Sequence, residues 1–304
     1  MHVAILSARS GWHTDELRRA LAERSHTSVL APYESLVARI ASDSGSRLQF
    51  QPADPGSRAQ SLPADSPSPD AVLARIIPNG SLEQIIFRVD ALHWLEDRGI
   101  RVINSPRAIE RTVDKFYTSA LLRDAGLPTP ETVVCEDFST AMTAVREMGD
   151  VIVKPIFGSM GHGMVRISDP EIGFRILRPL EQSGAVFYVQ RAIDHGGTDI
   201  RAFVVGRRVI AAIERKAPDG DWRTNVSRGG SARAIDLCDR HRQYAVDAAV
   251  AVGADYAGVD LLSSRDGGAY VLEVNGIPGW QGLQQATGVD VAGAIVDLLQ
   301  SEAR

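Results

Sequence analysis

The sequence predicts a mixed α/β protein, and three observations carry that prediction. Short apolar runs alternate with amphipathic helical stretches through the first hundred residues. Two hairpin-like strand pairs, 200–205 with 208–213 and 257–262 with 269–274, mark antiparallel sheet in the last third. The composition, 44% hydrophobic and 23% charged over 304 residues, is that of a globular chain with more than one structural unit.

The elements follow in order. Residues 3–6, Val-Ala-Ile-Leu, form the first strand. Over 15–23, Leu17, Ala20 and Leu21 recur at helical spacing. Strands follow at 29–31 and 71–76. A helix over 81–99 carries Leu82, Ile85, Ile86, Val89, Leu92 and Leu95 and stops at Gly99, and 101–104 is the next strand. This alternation implies a parallel sheet with right-handed crossovers. Residues 43–70 interrupt it. With five Pro, six Ser and two Gly, they read as a long surface loop.

Ser105-Pro106 opens a new unit, with Ser105 as cap and Pro106 at the first helical turn. A single helix carries Ile109, Val113, Phe116 and Leu121-Leu122, and Gly126-Leu127-Pro128 ends it. Strands are expected at 132–135, 151–155, 164–167 and 186–190, with a helix over 139–148. The polar stretch 217–232 reads as irregular, 240–252 as a helix, and 291–300 as the final helix. The expected organisation is an N-terminal domain over 1–104, a central lobe over 105–193 and a C-terminal lobe over 194–304.

Thirty-eight acidic against thirty-three basic residues leave a net charge of −5. That argues against a nucleic-acid-binding protein and leaves room for a local cationic site. No apolar stretch approaches the roughly 20 residues of a membrane helix, and the N-terminus lacks the pattern of a signal peptide. A cytoplasmic protein without a membrane span is expected. The two cysteines, Cys135 and Cys238, are too few for a disulfide framework or a four-cysteine metal site.

Four local features carry chemistry. In the first, the strand Val151-Ile152-Val153-Lys154 delivers a lysine, and Gly158-Ser159-Met160-Gly161-His162-Gly163 follows. A glycine-rich loop exposes backbone N–H groups that can wrap phosphate oxygens. The order is not that of a P-loop, where the glycines precede the lysine. In the second, Glu273 and Asn275 lie two apart on a strand and share a face, with Asp260 on the preceding strand able to face them. Two carboxylates and an amide oxygen form a hard ligand set suited to Mg²⁺ with nucleotide phosphates. In the third, Arg201, Arg215 and the segment Trp222-Arg223-Thr224-Asn225 supply donors that can stabilise a transferring phosphoryl group. In the fourth, Asp114-Lys115 sits early in a helix.

Together and in this order, these features resemble the ATP-grasp superfamily, and within it the RimK-type α-L-glutamate ligases. The segments that carry the resemblance are Asp114-Lys115, Val153-Lys154-Pro155 with its glycine loop, Val189-Gln190, Asp199-Ile200-Arg201, Asn225 to Gly230, Val259-Asp260 and Glu273-Val274-Asn275-Gly276-Ile277-Pro278-Gly279. The resemblance implies an ATP-grasp fold of two α+β lobes, preceded by a parallel-sheet pre-ATP-grasp domain. It implies ATP contacts from Lys115, Lys154, Gly158, Ser159, Gly161, Gly163, Asp199, Arg223, Thr224 and Asn225. Gln190, Arg191, Ala192 and Ile193 match the hinge that reads adenine. Asp260, Glu273 and Asn275 match the ligands of two Mg²⁺ ions, with Mn²⁺ as a substitute. Arg201, Arg215 and Asn225 take the catalytic positions, the two arginines resembling those that hold an acyl phosphate. The chain departs from the pattern at Arg191, where the branch commonly has Glu.

The implied function is an ATP-dependent carboxylate–amine ligase that adds an amino acid, L-glutamate, to a carboxylate acceptor. The resemblance also implies a homo-oligomer. A pterin, a deazaflavin, a protein C-terminus and an amino-group carrier protein are all open as acceptors, with loose similarity at residues 74–78 and 87–90 favouring a small molecule. Two other classes remain open at this point: an ATP-grasp kinase and a nucleotide-binding regulator without turnover. The intact Asp260, Glu273 and Asn275 set argues against the regulator.

Overall fold

In the computed structural model the described residues are 1–41, 45–50, 69–158, 161–218, 221, 223–224 and 230–301. They fall into two units. The first takes in Met1–Ile109, Gly253–Ala257 and Gly276–Arg304, and the second Glu110–Val252 and Gly258–Asn275.

Continuous apolar runs build the first unit. The chain enters as β1 (His2–Leu6), α1 (Trp12–Glu23) and β2 (Thr27–Ala31), then makes a hairpin of β3 (Leu36–Ala41) and β4 (Gly45–Phe50). It continues through β5 (Ala71–Ala74), α2 (Leu82–Asp97) and β6 (Arg101–Ile103). The main sheet is parallel, in the order β2-β1-β5-β6. Its central strands β1 and β5 are buried almost throughout, which is why they read as solid apolar runs rather than alternating ones. Helix α2 starts on a capping box, Ser81 accepting from the Gln84 N–H while Gln84 accepts from the Ser81 N–H.

The C-terminal segment belongs to this unit. Helix α8 (Gln281–Thr287) and helix α9 (Val291–Ser301) follow residue 276, and α9 packs on α1. Arg19 reaches Asp290 at 2.7 Å and Arg24 reaches Asp297 at 2.5 Å. Asn104, fully buried, binds the remaining pieces. Its amide donates to the carbonyls of Tyr256 and Gly276 at 2.8 and 2.5 Å, and its oxygen accepts from the N–H groups of Asp255 and Tyr256. The sequence predicts consecutive segments with boundaries at 104 and 193. Here 276–304 is instead grouped with the N-terminal unit, through contacts that no local pattern encodes.

The second unit holds two antiparallel sheets. Helix α3 (Pro106–Val113) crosses into it and is followed by α4 (Lys115–Asp124). The first sheet, in the order β7-β10-β8-β9, consists of β7 (Thr132–Cys135), β8 (Val151–Lys154), β9 (Val165–Ile167) and β10 (Phe187–Arg191). Helices α5 (Phe138–Met148) and α6 (Pro170–Gln182) cover one face, burying Val145, Val151, Val153, Leu177, Phe187 and Val189. The second sheet, β13-β12-β11-β14-β15, is built from β11 (Thr198–Val205), β12 (Arg208–Lys216), β13 (Ser231–Ala234), β14 (Tyr256–Ser263) and β15 (Ala269–Asn275). Helix α7 (Asp239–Val252) packs on it through Ala245, Ala248, Ala249 and Val252.

The structure corrects four expectations. The helix expected to run unbroken from Ser105-Pro106 is two helices, because Asp114 takes extended dihedrals and caps α4 by accepting from the Tyr117 N–H. Residues 45–50 of the expected loop form β4, and 51–68 lie outside the described residues. Residues 231–234 of the expected irregular stretch form β13. Helices α6 and α8 went unread, the first because Gly173 and Pro179 sit inside it.

Candidate active site

The site is built by strand alternation in the second unit. On β8, Val151 and Val153 face the helix-covered core, so Ile152 and Lys154 face the other way. On β10 the same alternation turns Tyr188 and Gln190 to that side. Lys154 donates to the Gln190 Oε1 at 2.7 Å, and the Gln190 amide donates to Thr132 and Tyr188. These residues and the facing sheet line one cleft.

Lys154 is 5% exposed. Burial pulls its ammonium down to about 8, against the attraction of Glu273. Lys115, at the start of α4, donates to the Gly158 carbonyl at 2.7 Å. Burial lowers it too, opposed by Glu273 and Asp114. The glycine loop turns on backbone that side chains rarely adopt: Gly158 and Gly163 have φ of 138° and 72°, and a Cβ at either would meet the Pro155 ring.

The facing sheet supplies an alternating row of charges. Asp199 on β11 stands directly opposite Arg215 on β12 and takes its Nε and Nη2 at 2.7 and 2.5 Å. The Thr224 hydroxyl donates to the same carboxylate at 2.6 Å. Arg201, two residues on from Asp199, grips Asp260 with its Nε and Nη2, each at 2.7 Å. Arg215 also reaches Asp260, at 2.9 Å. Burial alone would raise Asp260, yet Arg201 and Arg215 outweigh it and hold the carboxyl far below the usual range. Glu273 behaves oppositely. Desolvation and then the neighbouring Asp260 push it up, against Arg201 and Lys154.

A bulge completes the arrangement. Asp260 pairs with Glu273 but Leu261 pairs with Val271, so Leu272 has no partner in register. The extra residue lets Leu272 and Glu273, although consecutive, both face the cleft. Asn275 pairs with Gly258 at the strand end, two residues beyond Glu273. Among the described residues no group of three or more His, Cys, Asp or Glu could hold a metal ion. Two carboxylates and one amide oxygen nonetheless fit Mg²⁺, which keeps few protein ligands and completes its shell with phosphate and water. The repulsion that raises Glu273 is what a divalent cation would relieve.

Of the residues expected from the sequence, Lys115, Lys154, Gly158, Gly161, Gln190, Arg191, Ile193, Asp199, Arg215, Arg223, Thr224, Asp260 and Glu273 line the cleft. Gly163, Ala192, Arg201 and Asn275 are not among the residues that line it. Ala192 uses its N–H on the Asp150 carbonyl, and Arg201 lies against Asp260. Ser159 and Asn225 lie outside the described residues. Arg223 lines the cleft while paired with Asp221 at 2.9 Å. Arg191 turns its side chain to Glu131 and the Met148 carbonyl, so its contribution to the cleft is main chain.

Sequence reasoning missed Ile152, Met164, Leu262 and Leu272, the apolar lining that suits a flat base, and His195. The Nδ1 of His195 lies 3.0 Å from the Thr198 carbonyl, which can only accept, so Nδ1 is the donor. The Gly196-Gly197 pair beside it was the available signal. His162 also lines the cleft.

Known proteins identify the family. A family model described as the RimK-like ATP-grasp domain matches residues 112–299. A tetrahydromethanopterin:alpha-L-glutamate ligase of Methanosarcina acetivorans is 38% identical over 76% of this chain and 80% of its own length. A protein of the same name from Methanococcus maripaludis is 30% identical over 98% of this chain and 97% of its own. Among solved structures, the ATP-grasp ligase PsnB, complexed with a phosphomimetic variant of its minimal precursor, Mg and ADP, superposes with a TM-score of 0.75. It is 24% identical, over 99% of this chain and 98% of that one. The chain therefore belongs to the RimK-like ATP-grasp family and is a ligase.

Proposed function

We propose that this protein joins L-glutamate to a small, pterin-like carboxylate acceptor at the expense of ATP. The observation that carries this reading is one cleft presenting Lys154 and a glycine loop from one sheet, Lys115 from α4, and the Asp260–Glu273 pair from the other sheet. The names of the relatives from Methanosarcina acetivorans and Methanococcus maripaludis support glutamate and a pterin acceptor.

Two steps follow. An acceptor carboxylate oxygen attacks the γ-phosphorus of ATP, and the bond to the bridging oxygen breaks to leave ADP and an acyl phosphate. The glutamate amine then attacks the acyl carbon, and the C–O bond to phosphate breaks with loss of a proton from nitrogen. Lys115, Lys154 and the loop N–H groups bind and orient the phosphates, and Arg201 and Arg215 offset charge on the reacting oxygens. Asp260, Glu273 and Asn275 would hold two Mg²⁺ ions, or Mn²⁺ in their place. The metal supplies charge screening between carboxylate and polyphosphate. A cytoplasmic setting, rich in ATP and reducing, suits the two free cysteines.

The test is incubation with MgATP, L-glutamate and a panel of pterin, deazaflavin and peptide acceptors, following ADP, phosphate and product mass. Free phosphate with a product one glutamyl unit heavier than the pterin is expected. ADP with a stably phosphorylated product would instead make the protein a kinase.

A further inference from the structure

The two site arginines are not equivalent. Arg215 is anchored on both sides. Asp199 takes its Nε and Nη2, Thr224 braces that carboxylate, and the Arg215 and Asp199 side chains are only 5% and 4% exposed. Arg201 has no such anchor. Among the described residues, its polar partners are Asp260, at 2.7 Å through two nitrogens, and Glu273 at 3.9 Å. Both are carboxylates expected to take the metal.

Three guanidinium contacts converge on Asp260. A cation that takes Asp260 must displace donors and repels the guanidiniums it displaces. Arg215 can surrender Asp260 and keep Asp199. Arg201 surrenders Asp260, faces a metal-bound Glu273, and retains no other polar side-chain partner among the described residues.

We infer that Asp199 is a positioning residue that pins Arg215, and that Arg201 is the internal competitor for the metal, released from Asp260 when the cation binds and so delivered to the reacting oxygens. This rests on the metal assignment made under the proposed function. It predicts opposite effects from two substitutions that replace no metal ligand. Arg201→Lys keeps the charge but loses the two-pronged grip on Asp260, so the cation should bind more tightly. Asp199→Asn loosens Arg215, which then leans on Asp260, so the cation should bind less tightly.

The experiment is Mn²⁺ titration of the full chain with ADP present, at pH 7, reading free Mn²⁺ by its electron paramagnetic resonance signal. Losing one charge-assisted competitor should tighten Mn²⁺ by roughly tenfold in Arg201→Lys, and Asp199→Asn should weaken it several-fold. Circular dichroism checks folding. Should Asp199→Asn not fold, Thr224→Val reads the same anchor by removing its brace. Unchanged or weaker Mn²⁺ binding in Arg201→Lys overturns the inference. A wild-type chain that binds no Mn²⁺ overturns it together with the metal assignment. A wild-type chain that binds Mn²⁺ and shows the two opposite shifts, yet makes no amide, sustains the inference while the glutamate-ligase reading fails.

Discussion

Replacing Asp260 with Asn should unfold the second unit at a markedly lower temperature, whereas replacing Glu273 with Gln should not. The Asp260 side chain is 4% exposed and accepts three contacts from two guanidiniums, at 2.7, 2.7 and 2.9 Å. An amide keeps one oxygen and turns an N–H₂ toward a donor, so two charge-assisted bonds go, at about 1.5–3 kcal/mol each. Arg215 retains Asp199 and Arg201 retains Glu273 at 3.9 Å, which limits the loss. A net cost of about 3 kcal/mol follows, at the low end for a broken buried ion pair. For a unit of this size that is a fall of roughly 6–12 °C. Glu273 is the reverse case. Its carboxyl is raised by desolvation and by Asp260, so its charge strains the site and neutralising it leaves stability level or higher. The sign against pH is consistent. Asp260 has a depressed folded pKa, so its stabilisation is complete above the ordinary carboxylate value of about 3.9 and fades only as pH falls below it. The assay is thermal unfolding by circular dichroism at pH 7 without nucleotide or metal, with turnover measured in parallel. Both variants should lose turnover and only Asp260→Asn should lose stability. Equal melting temperatures for the two would refute the reasoning.

Three further outcomes are expected. ADP affinity should weaken as pH rises through about 8, where buried Lys154 loses its proton, by up to about tenfold per pH unit. A fluorescent-nucleotide titration of wild type and Lys154→Arg checks this, since the arginine should remove the dependence. His13, whose ring Nε2 accepts the main-chain N–H of Trp280 at 3.0 Å, falls from 6.5 to about 4 through burial and then Arg75. Between those values the unfolded chain takes a proton that the folded one refuses, so stability is lost as pH falls through that window. With partial solvent screening the loss is about 1–2 kcal/mol, read as urea midpoints at pH 7 and 4.5 that draw together in His13→Gln. Arg191→Gln should leave ADP affinity within about twofold, because only its main chain faces the cleft, and cost at most about 1 kcal/mol from the exposed Glu131 pair. A tenfold loss of ADP affinity would show that the side chain reads the nucleotide.

Much of this was legible because it is periodic. Alternation over Val151 to Lys154 separates core from cleft in four residues, and the spacing of Glu273 and Asn275 predicts a shared face. The illegible parts depend on partners distant in the chain. Nothing near Asn104 announces that it will satisfy backbone groups at 255, 256 and 276 and so draw two later segments into the first unit. Asp169-Pro170 is a helix start of the same kind as Ser105-Pro106, but Gly173 and Pro179 inside α6 obscure it, and its stability comes from packing on α5 and the sheet, not from propensity. The bulge at Leu272 is the most consequential case. Strict alternation along β15 would place Leu272 and Glu273 on opposite faces, so one could line the cleft and the other could not. The slip of one residue between Asp260 and Leu261 places both there, beside a carboxylate already committed to two arginines. Identity of the acids is therefore a matter of sequence. Their convergence, the repulsion that raises Glu273 and the competition for Asp260 are consequences of how two strands fall out of step, which only the fold displays.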